Sequence, residues 1–527
     1  MTYFEFDYLV FLLPVLLIVY AILPKKLRPI ELLIASYVFF CFISGRLVVY
    51  MLISTFTMHY FGLWLDKLQS ARKKESADLS REEKKAIKKK YDRRQNEVLF
   101  FALIIHIGIL LTLKYASFFA VNANVILENF NMHLKVPKFA VPIGLSFYTL
   151  EAASYIIDVR RGQVKADHNV FRLGLHLIFF PQIIEGPIAR YNETGAKLFE
   201  GNKLEYKNLV NGFIRILYGI LKKVLVADRL NPFVGSIFDN YETYDGGMLA
   251  IGALAYTCQL YMDFSGTMDL VLGSAELFGF KLPENFRQPF FSKNISDFWS
   301  RWHITLGAWF KDYIFYPVSL SKGMKKLSAF GRKHFSAQVG ALMSGSIALF
   351  LVWLANGLWH GAAWTYIVFG MYHFVLIVLG NIFEPTTKKI YEKLKIDRNN
   401  SIVSGLRILK TFFFIVIGEL IFRANSLEAV GSMLKGIFTS FSFGGISDGK
   451  LLQAGIDIYD WIIVLAVIVF VFIISTLKEK GVDVRERFSE LNIAVRWSLL
   501  LVLIVVIVLF GAYGTGYAAV EPMYANF

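Results

Sequence analysis

Long runs of apolar residues separated by short polar or basic stretches dominate the chain. Runs of the length that spans a hydrocarbon core, about 17–25 residues, lie near 5–23, 47–65, 98–118, 139–157, 208–227, 248–272, 338–358, 363–382, 406–424, 461–477 and 495–512. A shorter run near 30–44 spans with tilt or pairs with its neighbour. Two segments break the pattern: 170–190 is interrupted by Pro181, Gly186 and Pro187, and 291–320 mixes aromatic with charged residues. Both predict re-entrant or interfacial helices, because irregular backbone at membrane depth survives only where it is buried in protein or lines a wet cavity. The pattern as a whole predicts an all-α polytopic membrane protein with ten or twelve crossings. The first apolar run has no basic flank before it and no small-residue cleavage site after it, so it is expected to be retained. No linker, low-complexity tract or internal repeat divides the chain, which predicts one membrane domain over 1–527 and weighs against a transporter built from inverted halves.

Composition agrees with the pattern. Of the 527 residues, 55% are hydrophobic and only 18% charged, too few polar groups to coat the several soluble domains that this length otherwise implies. The formal net charge is +15, from 56 Lys and Arg against 41 Asp and Glu. Those positive charges cluster in loops near 24–29, 67–94, 322–333, 388–395 and 478–487, the distribution of a membrane protein and not of a nucleic-acid-binding face. The bias places these loops in the cytoplasm and both termini outside. The stretch EEKKAIKKKYDRRQNE predicts a solvated, charged helix over about 67–97, lying on the inner leaflet. Cys41 and Cys258 both sit in apolar runs and offer no disulfide framework or zinc spacing.

Polar groups inside apolar segments are costly, so they point to function more strongly here than in a soluble protein. They are densest over 256–317 and 353–373, where Asp263, Ser265, Asp269, Glu276, Glu284, Arg287, Asp297, Arg301, His303, Asp312, Asn356, His360 and His373 occur. Read as one helix, DFWSRWHITLGAWFKDY (297–313) gathers Trp299, Trp302, Leu306, Trp309 and Tyr313 on one face and Asp297, Arg301, Thr305 and Asp312 on another, with an i,i+4 ion pair between Asp297 and Arg301. His303 lies between these faces, and Gly307 one turn later leaves room beside its ring. In ANGLWHGAAW (355–364), Gly357 and Gly361 bracket His360 and allow close approach, Trp359 and Trp364 wall it, and a helix break there puts the imidazole at a cavity. An imidazole, with an unperturbed pKa of about 6.5, can take the proton of a hydroxyl nucleophile near neutral pH. Spacing leaves two readings open for each: His303 as a reacting group or an interfacial anchor, His360 as a base or a buried structural histidine. His373 and His106 read as structural. No HExxH, clustered thiols, GxSxG, P-loop or GxGxxG occurs, so no metal, serine-hydrolase or nucleotide site is expected.

FWSRWHITLGAWFKDYIFYPVSL and LWHGAAWTYIVFGMYH resemble the two signature blocks of the membrane-bound O-acyltransferases, specifically the bacterial branch typified by alginate O-acetyltransferase. GLSFYTLEAASYIIDVRRG (144–162), FFPQIIEGPIARY (179–191), LKKVLVADRL (221–230), YTCQLYMDFSGTMDL (256–270) and FGFKLPENFRQPF (278–290) follow the family pattern in the same order, so the resemblance covers most of 140–375. It implies helices around a central tunnel that an acyl thioester enters from the cytoplasmic side. By motif position it makes His360 the principal catalytic histidine and His303 the second one, with Arg301, Trp302, Asp312, Asp263, Ser265, Glu185, Asn356 and Trp359 as donor-binding or tunnel-lining candidates. It further implies acetyl-CoA or another acyl thioester as donor substrate with no bound cofactor, an exported polysaccharide as acceptor, a separate extracytoplasmic acetyltransferase as partner, and a lipid-embedded location in the cytoplasmic membrane. GELIFRA (418–424) departs from the usual aromatic pair before Phe-Arg-Ala, and EPMYANF matches the usual aromatic ending only in part. D-alanyl transfer to teichoic acid is the rival within the family. A lipid or polymer transporter is the rival outside it, and leaves both His-Trp blocks unexplained.

Overall fold

In the computed structural model, which describes residues 3–513 and Val520, every apolar run of the sequence is helical over most of its length. The ending EPMYANF lies outside the described residues. Among those described there is no β-strand, only one isolated antiparallel bridge between Phe286 and Trp302. Six helical stretches among the described residues are long and apolar enough to cross a bilayer: Arg28–Glu75, Arg81–Phe130, Ala337–His360, Trp364–Lys393, Ile458–Glu479 and Ile493–Phe510. The remaining predicted crossings are helical too, but are shorter or carry charged groups. The helix expected from 139 starts only at Leu145. Gly144 before it has φ +75°, and a Cβ there would lie 2.0 Å from the Ile183 carbonyl oxygen, so the chain passes too close to that carbonyl for any other residue.

The described residues divide into two compact units, 3–213 with Val271–Pro283, and Ile214–Leu270 with 284–513. In the first, only Val170–Ile178 of the interrupted segment is helical, and the irregular chain after it is buried. Side chains satisfy its backbone. Phe180 N–H donates to Ser36 Oγ (3.0 Å), Ile184 N–H donates to the Tyr3 hydroxyl (3.0 Å), and Glu151 Oε1 accepts from Ala189 N–H (3.1 Å) and Gln182 Nε2 (3.2 Å). Non-helical backbone is thus buried in protein, with the N–H groups of Phe180, Ile184 and Ala189 bonded to side chains.

The basic stretch is not a separate surface helix. It forms the ends of two long helices, Val48–Glu75 and Arg81–Leu110, joined by a short turn. Ser80 and Glu83 close a reciprocal cap at the start of the second helix. Glu75 accepts from Lys90 Nζ (3.0 Å) and the Tyr91 hydroxyl (2.6 Å) across the pair. The charges therefore continue apolar helices instead of interrupting them, because Lys, Glu and Arg are all good helix formers. The basic segment 322–333 is likewise a helix, Lys322–His334.

In the second unit, Lys222 and Lys223 are buried at the end of the apolar run 208–227 and face the helix Gly246–Leu277. Lys222 Nζ bonds Asp269 Oδ2 (2.5 Å) and Ser265 Oγ (2.9 Å), while Lys223 Nζ lies 2.8 Å from Asp263 and 2.7 Å from Asp228. Arg215 adds bonds to Asp269 (2.9 Å) and Glu284 (2.7 Å). Buried charges that meet opposite charges in this way fix the register of the helices that carry them.

Candidate active site

The segment read as one helix over 297–313 is broken at its histidine. Ile295–Trp299 and Ile304–Phe310 are helical, and His303 between them has left-handed backbone at φ 46° and ψ 52°. The cause lies elsewhere in the chain. Residues 285–287 run alongside 301–304: Arg287 N–H donates to the Arg301 carbonyl (2.9 Å) and Ile304 N–H to the Asn285 carbonyl (3.0 Å). The Asn285 side chain then takes the place of a helix cap, its Oδ1 accepting from Thr305 N–H (3.0 Å), the Thr305 hydroxyl (2.8 Å) and His303 Nδ1 (3.4 Å).

His360 arises more simply, as the last residue of the helix Ala337–His360. The expected break follows it. Gly357 and Gly361, however, do not open space for a ligand: a Cβ on Gly357 would lie 2.5 Å from the Tyr366 carbonyl oxygen, and one on Gly361 would lie 2.4 Å from the Tyr366 ring. They let the next helix, Trp364–Lys393, pack close. The His360 ring meets Phe422 edge-on at 5.0 Å and Phe369 at 5.9 Å, while Trp364 is half exposed. Trp359 stands between the two histidines, its ring 5.0 Å from His360 and 5.6 Å from His303.

Both imidazoles line one cavity of about 60 Å³, roughly the liquid volume of two water molecules. Trp299, Trp302 and Gly307 come from the broken segment, Trp353 and Asn356 from the helix that ends in His360. Gly307 leaves the space the sequence predicts, since a Cβ there meets nothing nearer than 3.6 Å. No carboxylate is among the lining residues. His303 and His360 are both almost fully buried, and Asn356 Oδ1 has no hydrogen-bond partner among the described residues.

Of the predicted residues, the structure brings His303, His360, Trp302 and Asn356 to this cavity, with Trp359 packed on both histidines. The others are elsewhere. Arg301 makes the expected ion pair with Asp297 (2.9 Å) and a second with Glu479 (2.8 Å). Asp263 and Ser265 are partners of the two buried lysines, Asp312 is exposed, and Glu185 is fully buried in the first unit. His373 is buried against Trp299, its ring 4.9 Å away, and His106 bonds the Ala102 carbonyl (2.9 Å). Asn285 was not singled out by the sequence, although PENFRQPF contains it. No group of three or more His, Cys, Asp or Glu among the described residues could hold a metal ion.

The family model for the membrane-bound O-acyltransferases matches residues 165–403, a stretch that contains the whole cavity lining. A probable alginate O-acetylase of Pseudomonas aeruginosa is 32% identical over 85% of this chain and 76% of its own length. A peptidoglycan O-acetyltransferase of Helicobacter pylori is 30% identical over 64% of each chain. A teichoic acid D-alanyltransferase of Bacillus subtilis is 34% identical over 54% of this chain and 69% of its own.

Proposed function

The chain belongs to the membrane-bound O-acyltransferase family, and on that premise we propose that it carries an acetyl group from a cytoplasmic thioester, acetyl-CoA or a carrier-bound equivalent, to hydroxyls of an exported cell-surface polysaccharide. The observation that carries this reading is the pair of histidines on one small aromatic cavity. His360 removes the proton of the acceptor hydroxyl as its oxygen attacks the thioester carbonyl. The carbon–sulfur bond then breaks, and the proton goes to the departing thiolate. His303 and nearby polar groups hold the donor or meet the negative charge that develops on the carbonyl oxygen. Passing an acyl group from thioester to ester is downhill, so no nucleotide is consumed. The acceptor hydroxyl at His360 belongs either to the polymer or to an extracytoplasmic acetyltransferase partner that passes the acetyl group on to it, and the cytoplasmic membrane is the site of action.

D-alanyl transfer to teichoic acid is the second reading. That relative matches about half of this chain, whereas the alginate relative matches most of it, which favours acetylation.

The test is His360→Ala in cells that export the polymer. Ester-linked acetyl on the polymer is expected to fall at least about 10²-fold with the protein still inserted and abundant. Wild-type acetylation by the variant would mean that His360 is not the base. Thiol release from acetyl-CoA by the purified protein with its partner separates an enzyme from a transporter.

A further inference from the structure

Asn285 is 1% exposed and touches His303 from outside the cavity. A side-chain amide offers an acceptor oxygen at one end and donors at the other, and its neighbours decide which end faces where. Thr305 decides it here. Its backbone N–H can only donate, and it bonds Asn285 Oδ1 at 3.0 Å, with the Thr305 hydroxyl on the same oxygen at 2.8 Å. The opposite end agrees, since Asn285 Nδ2 donates to Met268 Sδ (3.2 Å), an atom with no proton to give. An amide oxygen cannot donate, so the hydrogen between it and His303 Nδ1 (3.4 Å) belongs to the imidazole. A neutral imidazole carries one N–H, which leaves Nε2 as an acceptor. The lining residues include no carboxylate that would balance an imidazolium.

Resting on the acyl-transfer reading, we propose that Asn285 is a positioning residue that fixes His303 as the Nδ1–H tautomer, so that His303 holds a substrate N–H or O–H through Nε2 and does not bind the developing oxyanion. Donors for the oxyanion then come from other groups of the cavity. The tautomer thus gives His303 one task, to orient a donor hydrogen of the thioester arm or of the acceptor.

The experiment uses full-length protein in lipid nanodiscs, labelled with ¹⁵N-histidine and with the His303 signals assigned by their loss in His303→Asn. Wild type is expected to show the Nδ1–H pattern at His303. Asn285→Leu loses it, and Asn285→Asp, which keeps an oxygen in place, retains it. For thiol release from acetyl-CoA, Asn285→Leu is expected to lower kcat about 10²-fold with KM little changed, while Asn285→Asp stays within about tenfold of wild type. An Nε2–H pattern in wild type overturns the proposal, and so does a Leu variant with wild-type kcat. The wild-type tautomer is read without turnover or mutation, so the proposal stays testable if the Leu variant does not fold. It also separates this failure from that of the acyl-transfer reading, which falls if His360→Ala releases thiol at the wild-type rate.

Discussion

The two histidines of the cavity reach it by opposite routes. His360 ends an uninterrupted helix, so its position follows from helix geometry and from the glycine that comes next. His303 occupies a left-handed break that the local sequence does not call for, held by backbone and side-chain bonds from residues 285–287. One site is built from a rigid rod and the other from a crossing of two strips of chain. A rod tolerates change along its length, whereas a crossing depends on each of its bonds, so the two halves of the cavity should fail differently.

The largest contrast is expected at His303 itself, where ring and backbone can be separated. His303→Asn removes the imidazole but suits the left-handed conformation, while His303→Val removes it and opposes that conformation by about 1–2 kcal/mol. Both variants are expected to lose most acetyl transfer, about 10²-fold. Only Val should lower the thermal midpoint, measured by fluorescence-detected aggregation in detergent. Equal midpoints for Asn and Val would mean that the break does not strain the residue.

At the end of the rod, Gly361 is extended, so an alanine there is conformationally allowed but meets the Tyr366 ring at 2.4 Å. Overpacking of this kind costs about 1–3 kcal/mol. Gly361→Ala is therefore expected to lower the midpoint and to reduce transfer less than His303→Asn does, because Tyr366 can give way while His360 stays. A variant with wild-type stability would show that the close packing of the two helices is loose.

The smallest effect is expected at Arg301, which lies beside His303 in sequence but is spent on Asp297 and Glu479. Partly exposed pairs contribute about 0–1 kcal/mol. Arg301→Gln should leave thiol release within about threefold of wild type. A loss as large as that of His303→Asn would place Arg301 in the donor path after all.

The same contrast explains what could be read from the residues. Membrane helices were legible because lipid demands continuous apolar runs, and His360 was legible because its helix, the break after it and Trp359 are local, whereas Phe422, also against its ring, comes from 62 residues away. The strip 297–313 misled because Trp299, Trp302, Leu306 and Trp309 do fall at helical spacing, yet Phe286 and Arg287 pair with 301–302 and interrupt the helix. A contact from sixteen residues upstream leaves no mark on periodicity. Asn285 was missed for the same reason, since its three acceptor bonds become visible only when the two strips meet. Asp263 and Ser265 are legible as polar groups in an apolar helix, but their pairing with Lys223 and Lys222 is not, because it joins residues about forty positions apart.

Those two lysines also constrain how the protein is made. An ammonium at the centre of a membrane helix costs about 2.5–3.5 kcal/mol on the insertion scale, and 208–227 carries both near its end. Lys223 meets Asp228 five residues on, but the other counter-charges, Asp263 for Lys223 and Asp269 for Lys222, are translated some forty residues later. The full set of pairings therefore closes only once Gly246–Leu277 has been made, so the two helices depend on each other for a neutral interior.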